Sequence, residues 1–168
     1  MSTVATPVQT FAGAQRVPTV RPRTHAGLFQ CLVVSESDRR CAMFERAAAE
    51  SGWDAVVYQD PERALAQTRR IRFQLVIVDL DGSYDSAPPG FRELAEHLAR
   101  TGGPLLMVCG SEEDPLEEIW ARQLGAWLYL PGVDESCDIA MLCSEAQQAV
   151  TKLRPRQTDE YETYARSA

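Results

Sequence analysis

Lysine is nearly missing from this sequence of 168 residues: Lys152 is the only one, and histidine occurs twice, at positions 25 and 97. No glycine-rich turn carries a lysine after it, so a Walker-type phosphate loop is excluded. No G-x-G-x-x-G follows an apolar run, and no G-x-S-x-G elbow is present. The five cysteines (Cys31, Cys41, Cys109, Cys137, Cys143) are odd in number and contain no C-x-x-C pair, which removes zinc-finger spacing and a disulfide framework. Most lie in apolar runs, where cysteine packs as a small hydrophobe, and reduced thiols in a cytoplasm are expected. A signal peptide's apolar stretch of roughly 7–15 residues is absent near the start, and no run approaches the roughly 18 apolar residues of a membrane helix. Secretion and membrane association are not expected.

Positive charge is also lacking where nucleic acid would need it. Residues 1–27 carry three arginines (Arg16, Arg21, Arg23) and no acid, but residues 28–150 carry 10 basic against 21 acidic groups, within a net charge of −7. A body so acidic repels a phosphate backbone, and no clustered basic helix offsets the repulsion. No nucleic-acid partner is expected.

What is present is an alternation. Residues 1–27 have Pro7, Pro18 and Pro22 and no period, so they read as a disordered arm; residues 153–168 read as a polar, flexible tail. Between them, short apolar runs at 28–34, 55–58, 73–78, 105–108 and 126–130 alternate with amphipathic stretches at 38–50, 61–70, 91–100, 116–124 and 138–152. Asp60-Pro61-Glu62 is a helix start with proline at the first position, and Asp114-Pro115 is another. The acids at 112–114 suit the positive end of a helix dipole, and the glutamates on helices read as a solvated face. Leu116, Ile119 and Trp120 recur at helical spacing, which predicts that the two aliphatic side chains face the sheet.

Runs apolar along their whole length are strands buried on both faces. Five of them separated by helices predict one domain at 28–152: an α/β, doubly wound, five-stranded parallel sheet in a three-layer sandwich. Such sheets bind ligands beyond the carboxyl ends of their strands. Those ends hold Ser35 and Glu36 after the first strand, Asp79 and Asp81 after the third, Cys109 after the fourth, and Leu130 with Pro131 after the fifth. If the first and third strands are neighbours, Glu36, Asp79 and Asp81 converge, and a hard cation such as Mg²⁺ is the natural counter-ion.

This order of elements, with Leu75-Val76-Ile77-Val78-Asp79 closing the third strand, resembles the CheY-like receiver domain of response regulators. The resemblance covers nearly all of 28–150. It implies that Asp79 is the phosphoacceptor of a histidine-kinase phosphorelay and that Glu36, Asp79 and Asp81 are the metal positions. It also marks Cys109, Trp127 and Leu130 as the switch positions. The sequence departs from the pattern at several of them. Ser35 replaces one carboxylate of the acidic pair, Cys109 replaces a hydroxyl residue, and Leu130 replaces the lysine before Pro131. Phosphoryl transfer depends on neutralising the moving oxygens, so these losses imply a degenerate pseudo-receiver with weak or absent Mg²⁺ binding. Arg92 is a nearby basic residue that could stand in.

The expectation is a stand-alone receiver-like domain, not an enzyme, whose Asp79 sits in an acidic pocket without cationic or hydroxyl helpers. It would work by contact with a histidine kinase, a scaffold or an output protein, or as a homodimer through the fourth and fifth helices.

Asp79-Leu80-Asp81-Gly82-Ser83 also resembles the first motif of haloacid-dehalogenase-like Mg²⁺-dependent phosphatases, with Asp79 as nucleophile, Asp81 as acid/base, and Asp134 and Asp138 as later metal acids. That motif ordinarily ends a domain's first strand. Here two strand–helix units come before it.

Overall fold

The structure, a computed structural model, describes residues 29–80 and 90–153. The expected arm, the tail beyond Leu153, which ends the last helix, and Asp81 lie outside the described residues. Five strands, β1 (Gln30–Val34), β2 (Asp54–Tyr58), β3 (Leu75–Asp79), β4 (Leu105–Gly110) and β5 (Leu128–Pro131), alternate with five helices. These are α1 (Asp38–Glu50), α2 (Pro61–Thr68), α3 (Phe91–Thr101), α4 (Pro115–Leu124) and α5 (Ile139–Leu153). All strand pairs are parallel, in the order β2-β1-β3-β4-β5. The expected fold class is therefore the observed one.

Strand alternation makes two cores. Cys31, Val33, Leu75, Ile77, Met107 and Cys109 point to one side, where Phe44, Ala47, Ile139, Cys143 and Ala146 of α1 and α5 cover them. Leu32, Val34, Val76, Val78, Leu106 and Val108 point to the other, against Ala64, Leu94, Ala95, Leu98 and Ala121 of α2, α3 and α4. Each fully buried aliphatic side chain contributes about 1.5–3 kcal/mol, so this double burial holds the three layers together. Trp53 closes one edge of the first core: its ring meets Phe29 edge-on at 5.4 Å and its Nε1–H donates to the Cys143 carbonyl at 2.9 Å.

Two helices start as expected: Asp60 and Asp114 cap α2 and α4 ahead of a first-turn proline. Ser37 caps α1 as well. The solvated-helix reading fails on α4, however. Leu116 and Ile119 are 63% and 49% exposed, whereas Glu117 is fully buried with Ala121. Glu117, Ala121 and Leu124 lie one turn apart along the helix. Small Ala121 lets the helix approach the sheet, and the buried carboxylate finds donors there, so the helix turns its stronger apolar residues outward.

The winding of the sheet reverses at β1: β2 adds on one side of it and β3 on the other. The carboxyl ends of β1 and β3 thus flank the switch point of the sheet, which is where such folds open a ligand crevice.

Candidate functional site

β1 and β3 pair with Val34 opposite Val78. Each strand therefore delivers its next residue, Ser35 and Asp79, to the same end of the sheet. Both are buried, Asp79 with a side-chain exposure of 0%. A carboxylate sealed from water must be matched by donors, and here two side chains supply them. The Ser35 hydroxyl donates to Oδ2 at 2.6 Å. Arg40, in the first turn of α1, donates from Nε to Oδ2 and from Nη2 to Oδ1, both at 2.6 Å. Its third arm, Nη1, donates to the Val133 carbonyl at 2.9 Å in the segment between β5 and α5.

This is a forked guanidinium–carboxylate pair, the geometry in which arginine binds a carboxylate most strongly. It corrects the expectation of a pocket without helpers. The hydroxyl comes from the end of β1 instead of β4, and the cation comes from α1 instead of β5. Arg92, the substitute considered from sequence, faces elsewhere: its Nη2 lies 3.4 Å from Glu117.

A signal for Arg40 was present. It lies one helical turn before Phe44, on the edge of the buried stripe Cys41, Phe44, Ala47 and Ala48, and its guanidinium sits 5.9 Å from the Phe44 ring centre. Arg39, one position earlier, falls on the outer face and pairs with exposed Glu135.

The other positions fall as follows. Cys109 stands beside Asp79 in the register of β3 and β4, fully buried. Burial, and then the Asp79 carboxylate, push its thiol well above the ordinary range, so it stays protonated, an intrinsically weak donor and no nucleophile. Leu130 pairs with Cys109 from β5 and packs, with Trp127, against the α1/α5 core; both are half-buried. Glu36 is exposed, and its backbone carbonyl accepts from Gln59 at 3.3 Å.

The donor set does not fit the divalent cation that the receiver resemblance implies. A Mg²⁺ ion needs near-octahedral oxygen ligands. Both oxygens of Asp79 already meet guanidinium N–H groups, and Ser35 offers no second carboxylate. Among the described residues no group of three His, Cys, Asp or Glu is placed to hold a metal.

A second buried acid lies at the end of β4. Glu117 Oε2 accepts from the Ser111 backbone N–H at 2.8 Å and from the Tyr129 hydroxyl at 3.1 Å, while its Oε1 faces Arg92. Gly110 makes room for this carboxylate, since a Cβ there would run into Glu117 and the Tyr129 oxygen. Sequence reasoning placed Glu117 with the solvated helix glutamates, although the Asp114-x-x-Glu117 spacing is that of a capping box. Asp134 and Asp138, the acids of the phosphatase alternative, serve local turns instead: Asp134 accepts from Ser136 N and Oγ, and Asp138 from Met141 N. Asp79 itself ends the third strand, not the first.

Compared by sequence, the chain matches no protein-family model and no curated protein. Compared by structure, it is similar to response regulators and their receiver domains. A chemotaxis protein of Vibrio cholerae is 18% identical, covering 73% of this chain and 98% of that one, with a TM-score of 0.56. A receiver domain protein from Clostridium thermocellum is 14% identical, covering 76% and 100%, with a TM-score of 0.62. A CheY-like receiver domain protein from Methanospirillum hungatei is 14% identical, covering 74% and 95%, with a TM-score of 0.61. The chain has the receiver-domain fold. Within that fold Asp79 occupies the end of the third strand, and Arg40 reaches it from the first helix of the receiver sandwich. No helix among the described residues is long and apolar enough to cross a membrane.

Proposed function

We propose that this chain is a pseudo-receiver of two-component signalling: a cytoplasmic, non-enzymatic module that keeps the receiver fold and signals through protein contact. Asp79 remains the candidate phosphoacceptor. One observation carries the reading. The Asp79 carboxylate is sealed, with both oxygens engaged by Arg40 and one of them also by Ser35.

Accepting a phosphoryl group requires a carboxylate oxygen to approach phosphorus in line with the leaving group, in a site that neutralises the phosphoryl oxygens. Here both oxygens are engaged by Arg40, and Oδ2 by Ser35 as well, so attack on phosphorus would have to displace the guanidinium. The hydroxyl of the fourth strand and the ammonium of the fifth are replaced by Cys109 and Leu130. Each missing charge-assisted bond withdraws about 1.5–3 kcal/mol from a phosphorylated state.

Communication by contact is supported by apolar side chains that α4 and α5 leave exposed: Leu116, Ile119, Met141 and Leu153. Large exposed apolar side chains are the ordinary material of interfaces. They suit a histidine kinase, a scaffold or output protein, or a second copy meeting through α4 and α5.

The test is emission from Trp53, Trp120 and Trp127 on adding acetyl phosphate or beryllofluoride with Mg²⁺. The signal should stay nearly flat in the natural sequence and in Asp79→Asn alike. A strong response that disappears in Asp79→Asn would show a working switch and overturn the reading.

A further inference from the structure

Cations at acidic crevices are usually recruited from solution, whereas here one is covalently part of the chain. We propose that the pocket at the ends of β1 and β3 is a guanidinium site that the chain fills with its own Arg40, in place of the divalent cation and lysine of the receiver pattern. The inference rests on the pseudo-receiver reading only in taking this crevice as the receiver-type acidic site. Its test reads stability and cation choice, so either can fail alone.

The site is built for the shape of the ligand as well as its charge. A guanidinium is planar and offers five N–H donors in a fixed fork. Asp79 Oδ1 and Oδ2 take one edge of that fork, and the Val133 carbonyl takes a third donor. Ser35 binds the same carboxylate from the other strand, fixing its orientation. Phe44 lies 5.9 Å from the guanidinium carbon. An ammonium could not reach both carboxylate oxygens and the Val133 carbonyl with the same geometry. A small divalent ion would need a ligand set the described residues do not provide.

The arrangement also ties three elements together. α1 supplies the cation, β3 the anion, and the segment after β5 the carbonyl. The Arg40 side chain is 19% exposed while that of Asp79 is fully covered, so removing the arginine opens a path from solvent to a buried carboxylate that keeps Ser35 and loses both guanidinium bonds.

Chemical rescue tests the assignment. Arg40→Ala should raise the unfolding equilibrium constant about a hundredfold or more, the scale for stranding one partner of a buried pair. Guanidinium or methylguanidinium at tens of millimolar should then raise the melting temperature of Arg40→Ala relative to KCl at equal ionic strength. At such concentrations its denaturing action is small. The natural sequence and the Arg40→Ala/Asp79→Asn double variant should show no such rise.

Rescue by Mg²⁺ and not by guanidinium would overturn the proposal, showing a metal site that an arginine merely obstructs. Failure of both cations to rescue, or an Arg40→Ala protein as stable as the natural one, would overturn it equally. Should Arg40→Ala not fold, Arg40→Lys keeps the charge and loses the fork. It should melt lower and exchange the amides around Val133 faster, and melting indistinguishable from the natural sequence would refute the fork.

Discussion

Tyr129 shows how much one buried contact can bind a residue to pH. Its hydroxyl has one proton, shared between Glu117 Oε2 and the Ser111 carbonyl at 3.1 and 3.0 Å. Burial, followed by the negative charge of Glu117, pushes its pKa above the ordinary value of 10.0. The folded state therefore favours the neutral phenol. For an acid raised in this way, the stabilisation is complete below the unfolded pKa and is lost as pH rises towards the folded one. Tyr129→Phe should lower stability by about 1 kcal/mol at neutral pH, the usual net worth of one hydrogen bond. Its deficit against the natural sequence should shrink above pH ~10, because only the natural sequence has that phenol to ionise. Denaturant melts at several alkaline pH values check this, and a constant difference would reject the linkage. The buried thiols of Cys31, Cys41, Cys109 and Cys143 are raised as well, chiefly by burial, so both proteins share a background decline beginning at lower pH.

At the scale of the element, α4 depends on an acid where an apolar residue would be expected. Glu117 is fully buried and accepts from a backbone N–H and a phenol while facing Arg92. Glu117→Ala should cost about 2–3 kcal/mol, because the Ser111 amide loses its acceptor and the Tyr129 hydroxyl one of its two at a fully buried position. Glu117→Gln keeps one acceptor oxygen and should cost roughly half of that. Urea midpoints at unchanged slope measure both, and near-neutral values would mean that water reaches the carboxylate. This helix also marks where sequence reading fails. Apolar runs and capped starts made the ten elements and their parallel arrangement legible, since continuous Val/Leu/Ile stretches have few other uses in a domain of this size. Asp79 was legible for the same reason, as the acid ending such a run. Which face α4 turns inward was not, because a buried carboxylate is stabilised by groups 6 and 12 residues away in sequence, Ser111 and Tyr129. Arg40 escaped similarly. Its partners lie 39 and 93 residues further along, and helical periodicity alone assigns it only to the border of a buried stripe.

At the scale of the whole molecule, charge and apolar surface pull in opposite directions. Residues 28–150 carry 10 basic against 21 acidic groups, so two copies repel one another, yet α4 and α5 leave Leu116, Ile119, Met141 and Leu153 in solvent. Association between copies through these helices would be driven by apolar burial against that repulsion. Salt at physiological strength screens charges beyond about 8 Å and leaves the apolar term in place, so self-association should strengthen as salt rises. Leu116→Ser with Ile119→Ser removes the α4 part of the surface. Each substitution should change folding stability by no more than about 0.5 kcal/mol, because neither side chain contributes to the core. Sedimentation velocity over a range of protein and salt concentrations provides the measurement. A dimer that grows with salt and is lost in the double variant, at unchanged melting temperature, assigns the face to a second copy. A natural protein monomeric at every salt concentration would reject the homodimer and leave that face to a different protein, one whose basic rim matches this acidic body and whose binding weakens as salt is added.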